Sequence, residues 1–149
     1  PDIAGDGSVH TYPLKEPEKF LPPDRDSSES LLLVPAPLRI DPGTWNDLTR
    51  NDITVNWMAI DPRPKVNEHP GAKILSDWII RVGPDLPPRD TAGAVPGILH
   101  LRPQSIDDFV IELSRSDSLF DALNHLIREN SFKLRPGFLR ERSWEYQLD

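Results

Sequence analysis

At 149 residues the chain is long enough for one domain that buries its own core, and with no cysteine it forms no disulfide and no thiolate metal site. Its apolar share of 37% is low and its 17 prolines are more than twice the usual proportion, which predicts a modest core with extended arms. A net charge of −7 with scattered basic residues excludes a phosphate-backbone footprint, and no apolar run approaches the roughly 20 residues of a membrane helix.

Residues 1–30 are charged and proline-punctuated, with Tyr12, Leu14, Phe20 and Leu21 as their only anchors. They read as an extended arm or tail, and opening on Pro1 rather than Met suits a chain that is processed, trimmed or part of a longer one. Residues 31–149 form a single domain. Leu31 to Val34 is a short buried strand, and Leu38 and Ile40 continue it as an edge beyond Pro35 and Pro37. Asp41 is an N-cap with Pro42 at the first helical position, and Trp45 and Leu48 give that helix its buried face. Ile53 to Ile60 alternates as a strand, Ile53, Val55, Trp57 and Ala59 on one face, Thr54, Asn56 and Met58 on the other.

Beyond the Asp61-Pro62-Arg63-Pro64 stop, Ile74, Leu75, Trp78, Ile79 and Val82 fit helical spacing, although 78–82 is also dense in strand formers. A helix running into a short extended end is the expectation. Residues 83–97 read as a long, solvent-exposed Gly/Pro insertion. Leu99 and Leu101 mark a strand, stopped by Pro103. Ser105 then caps a helix that buries Ile106, Phe109, Val110 and Leu113. Ser116 or Asp117 caps the next, with Leu119, Phe120, Leu123, Leu126 and Ile127 inward. Ser131 to Pro136 is a turn, and Phe138, Leu139, Trp144, Tyr146 and Leu148 form an aromatic tail, helical at first.

Few residues invite catalysis. His125 and Glu129 share a helix flank but lack the third ligand a metal needs. Asp107 and Asp108 are explained by the favourable field of a helix's first turn. His10, His69, His100 and His125 are spread along the chain, and no nucleophile elbow, P-loop or dinucleotide fingerprint occurs. One polar cluster stands out: Asp61, Arg63, Lys65, Glu68 and His69.

Two stretches, Leu38-Arg39-Ile40-Asp41-Pro42-Gly43-Thr44-Trp45-Asn46-Asp47-Leu48 and Ser105-Ile106-Asp107-Asp108-Phe109, resemble the small sheath subunit family of bacterial type VI secretion systems. Leu119 to Ile127 and Pro136 to Arg142 follow in that family's order. Pro35-Ala36-Pro37 stands where the family has Gly-Asp-Phe, and the 61–97 connection is longer. The resemblance implies a larger sheath subunit as partner, the pair stacking into a contractile tube.

The expected fold is α+β: a mixed or antiparallel sheet of about four strands, with helices packed on one side. The expected role is a non-enzymatic, cytoplasmic assembly subunit with a hetero-oligomeric protein partner. Neither nucleic-acid binding nor membrane insertion is expected, nor any catalytic, cofactor-binding or metal residue. Its interface anchors would be Tyr12, Phe20, Trp45, Phe138, Trp144 and Tyr146. Two other readings are an adaptor that takes a peptide on a sheet edge, and a small hydrolase or transferase using loop 61–69 with His100.

Overall fold

The computed structural model describes residues 21, 28–63, 69–129, 132–139 and 144–146. In chain order they form β1 (Leu31–Leu33), β2 (Leu38–Ile40), α1 (Pro42–Leu48), β3 (Asn56–Ile60), β4 (Gly71–Leu75) and β5 (Trp78–Gly83). β6 (Gly93–Ala94), β7 (Leu99–Leu101), α2 (Pro103–Arg115), α3 (Leu119–Arg128), β8 (Leu134–Phe138) and β9 (Trp144–Tyr146) follow. The fold is mixed α+β. Its central sheet runs β1-β7-β3-β8, with β7 antiparallel to both its neighbours and β8 parallel to β3. β2 and β9 make a two-stranded ribbon, and β5-β4-β6 a small antiparallel sheet.

β3 is the hub, because all five of its residues are buried. Met58 and Ile60 enter one core with Ile106, Phe109 and Leu113 of α2 and Leu123 of α3. Trp57 and Ala59 enter a second with Leu38, Leu48, Ile98, Leu139 and Trp144. A strand buried on both faces has no polar side to show. The expected alternation holds, but the strand begins at Asn56 and Ile53 is 65% exposed. Asp52 explains the late start: its Oδ1 accepts from the backbone N–H and hydroxyl of Thr54, a local turn that competes with the ladder.

The helix starts follow proline more than serine. Asp41 caps α1, its Oδ2 accepting from the backbone N–H groups of Gly43 and Thr44. α2 opens with Pro103 at its first turn, so Ser105, expected as the cap, lies inside the helix and buried. There its hydroxyl accepts from Asn56 Nδ2 at 3.0 Å. Asp107 and Asp108 fall in the second turn rather than the first. α3 is capped by Ser118, whose hydroxyl accepts from the N–H of Asp121.

Three regions differ from expectation. Residues 71–83 form a hairpin, not a helix, turning at Ser76 with φ 57°. Strand-forming residues outweigh the helical spacing, and α3 reinforces the strand from outside: Asn124 accepts from Val82 N–H and donates to Val82 C=O, as a neighbouring strand would. Residues 83–97 are a solvent-exposed insertion only in their first part: 84–92 are exposed or half-buried, whereas Gly93 to Pro96 are buried and β6 pairs with β4. A side chain at Gly93 would collide with the backbone of Asp61. Finally, residues 134–138 are a strand and not a turn followed by a helix. Pro136 is tolerated there because β8 lies at the sheet edge. No helix among the described residues is long and apolar enough to cross a membrane. The expected arm of residues 1–30 lies almost wholly outside the described residues, as do Tyr12 and Phe20.

Candidate functional site

β3 and β8 run parallel, so their carboxyl ends meet at one edge of the sheet, where ligands of open α/β sheets usually bind. β3 runs out into Asp61, whose backbone still exchanges two 2.8 Å hydrogen bonds with Ala94. The side chain is buried, Asp61 being 2% exposed. Oδ1 accepts from Arg63 Nε at 2.7 Å and from Arg63 N–H at 3.1 Å, and Oδ2 accepts from the Trp144 indole at 2.8 Å. Burial pushes this carboxyl upward. The Arg63 side chain and N–H with the Trp144 indole outweigh it and hold the group below the ordinary carboxylate range.

Trp144 reaches Asp61 because β9 pairs with β2, with Ile40 opposite Trp144 and Leu38 opposite Tyr146. Around the indole stand Tyr146 at 5.9 Å and His69 at 4.8 Å between ring centroids, and His69 is 5.6 Å from Tyr146. The Tyr146 hydroxyl donates to the carbonyl of Pro96, and burial raises its pKa. A charged carboxylate, a guanidinium and three rings are thus gathered in one place. Asp61 has both oxygens committed to donors, and so holds Arg63 and Trp144 in place. The Arg63 side chain, 32% exposed, and half-buried His69 and Tyr146 present the accessible surface. Among the described residues no three His, Asp or Glu side chains gather as a metal would require.

The structure sorts the predicted residues. Asp61, Arg63 and His69 come together as the polar-cluster reading groups them, while Lys65 and Glu68 lie outside the described residues. His100 does not join them. It sits opposite Trp57, about 13 Å back along β3 at the usual strand rise. Its Nδ1–H donates to Val55 C=O at 3.0 Å, its ring stacks on Trp57 at 5.4 Å, and burial lowers its pKa. His125 faces Glu112 of α2 at 3.4 Å instead of sharing a site with Glu129. Trp144 and Tyr146, expected as anchors for a partner, dock on the chain's own core; Trp45 packs beside them and Phe138 is 52% exposed. The Asp61–Trp144 contact joins residues 83 apart. Its one trace in sequence is the alternation of Trp144 and Tyr146, which places both on one face of a strand.

No family model and no curated protein matches the chain. Solved structures do. The inositol-1-phosphate CTP transferase of T. maritima superposes with a TM-score of 0.64 at 11% identity, over 83% of this chain and 51% of that one. The UDP-glucose pyrophosphorylase of Acinetobacter baumannii gives 0.59 at 12%, over 76% and 44%. The nucleoside-diphosphate-sugar pyrophosphorylase of Vibrio cholerae RC9 gives 0.52 at 11%, over 79% and 51%. The chain spans about half the length of these structures and shares their fold. The sheath-subunit resemblance is corrected by this finding. Ser105 to Phe109 resembles a sheath motif only as the opening of an amphipathic helix, and none of these neighbours is a sheath protein. The non-enzymatic assembly role falls with it, because the architecture is one that nucleotide-transferring enzymes use.

Proposed function

We propose that this chain forms part of a nucleotidyltransferase that joins a nucleoside triphosphate to a phosphorylated sugar or polyol. The observation that supports it is the fold: three-quarters or more of the chain superposes on enzymes of CTP, UDP-glucose and nucleoside-diphosphate-sugar chemistry. In such a transfer a phosphate oxygen of the acceptor attacks the α-phosphorus of the triphosphate. The new P–O bond forms as the α–β bridge breaks, and pyrophosphate leaves with the electron pair.

On this reading the carboxyl end of β3 and β8 receives the phosphorylated acceptor. Arg63, its Nε held by Asp61, brings its positive charge to the acceptor's phosphate. The rings of His69 and Tyr146 flank the sugar or polyol, whose C–H faces pack on aromatic surface. Asp61 and Trp144 keep those groups in place. A cytoplasmic setting fits the reading, since nucleoside triphosphates are held inside cells.

A thermal-shift panel tests it. Glucose 1-phosphate, inositol 1-phosphate, CTP, UTP and dTTP are titrated in magnesium buffer, and at a hundredfold excess over Kd a true ligand adds about 2.7 kcal/mol of stability. At least one phosphorylated acceptor should raise the Tm, and Arg63→Gln should weaken it about tenfold or more. A flat Tm with every compound at millimolar concentration would overturn the reading.

A further inference from the structure

A second feature lies at the opposite end of β8 from Asp61. Lys133 and Arg135 flank Leu134, and exposure alternates along this stretch, with Phe132 and Leu134 buried and Lys133 and Arg135 exposed. The two cations therefore project from the same side of the strand. Both reach one half-buried ring of the neighbouring hairpin: Lys133 Nζ and Arg135 Cζ each lie 5.0 Å from the centroid of Trp78. Two full positive charges thus stand within about 10 Å of each other, on a chain whose net charge is −7.

Among the described residues neither cation ends in a salt bridge. The indole attracts each through its quadrupole but carries no charge to cancel them. Asp52 lies within electrostatic range of Arg135, yet its Oδ1 already serves the N–H and hydroxyl of Thr54. Arg81, farther along β5, is paired with Asp85 at 2.7 Å and adds nothing to the pair.

We infer that Lys133, Arg135 and Trp78 form an anion site for a phosphate dianion, separate from the Asp61 group. The chemistry matches in charge and shape. A dianion balances two cations, the guanidinium supplies a fork for two phosphate oxygens, and the ammonium supplies a compact charge with rotatable donors. The ring stiffens both stems, so less side-chain freedom is lost on binding. The site joins β5 to β8, so an occupant would tie the hairpin to the central sheet. This inference stands independently of the proposed transfer activity.

Indole N–H resonances of the ¹⁵N-labelled protein test it, the Trp78 signal being assigned with Trp78→Phe. Inorganic phosphate should move that signal saturably, with the Trp57 signal unmoved. Pyrophosphate and glucose 1-phosphate, titrated in parallel, distinguish free phosphate from the phosphate of a small ester. In Lys133→Gln/Arg135→Gln, exposed changes whose folding the remaining signals verify, phosphate should bind about tenfold more weakly or worse. An equal shift from sodium chloride at matched ionic strength would overturn the site. So would an unaltered titration of the double variant.

Discussion

At the carboxyl end of β3, Asp61 has both carboxylate oxygens engaged by Arg63 and Trp144, whereas toward its amino end Trp57 and His100 stack and each keeps a buried ring nitrogen without a partner. Both places are buried equally well, at 2% exposure for Asp61 and 5% for His100. The difference lies in the donors that the topology delivers. Three reach Asp61, so charge survives burial there. His100 has one carbonyl to donate to, and burial outweighs that bond and the charge of Asp52, lowering its pKa. The carboxyl end can therefore hold a buried charge, while the interior of the amino end is built to pack.

Breaking the charged end should cost most. Asp61→Ala leaves the Trp144 indole and the Arg63 guanidinium without their shared acceptor, and about 3 kcal/mol of stability should disappear from urea unfolding. A loss below about 1 kcal/mol would mean that the cluster is not held as described. Asn56 offers the matching test at the amino end. Its side chain donates to Ser105 and to the Lys133 carbonyl and accepts from Arg102 N–H, and it is 2% exposed. Asn56→Ala should cost about 2 kcal/mol, since these partners are neutral. Away from both ends, Asp41→Ala removes only the α1 cap and should cost about 1 kcal/mol.

The gentlest test is titration, because the two ends respond in separate windows. His100 has a depressed pKa, so the unfolded chain binds its proton more readily. Its contribution is complete above the usual imidazole value of about 6.5 and is lost as pH falls below it toward the folded value. Asp61, also depressed, keeps its contribution until pH drops through the usual carboxylate value of about 4 and toward its lower folded one. Tm should therefore sag in two stages on acidification, and His100→Asn, whose amide can still donate to Val55, should abolish only the first.

Much of this was legible in the residues, and the limits have physical causes. The Asp41-Pro42 start and the apolar faces of α2 and α3 are local patterns, and they are where the sequence places them. Asp61, Arg63 and His69 lie within nine residues of chain, so the polar part of the site was visible as a cluster. Its aromatic half was not, because Trp144 reaches Asp61 only through the β2–β9 pairing, which depends on a register set by distant residues. The hairpin at 71–83 reads as a helix in sequence because Ile74, Trp78 and Val82 satisfy a helical period by coincidence. The turn at Ser76 has no Gly or Asn to announce it. Residues 93–96 read as exposed loop because Gly93 signals flexibility in sequence, while in the fold it permits the close approach of Asp61.

The claim that this fold serves nucleotidyl transfer is tested most directly by ³¹P NMR. The protein is incubated in magnesium buffer with CTP, UTP or dTTP and with glucose 1-phosphate or inositol 1-phosphate. One pairing should show the acceptor's phosphomonoester signal replaced by a diphosphate ester, with pyrophosphate appearing in equal amount and both slowed in Arg63→Gln. Triphosphate and acceptor signals that persist unchanged in every pairing would contradict the account.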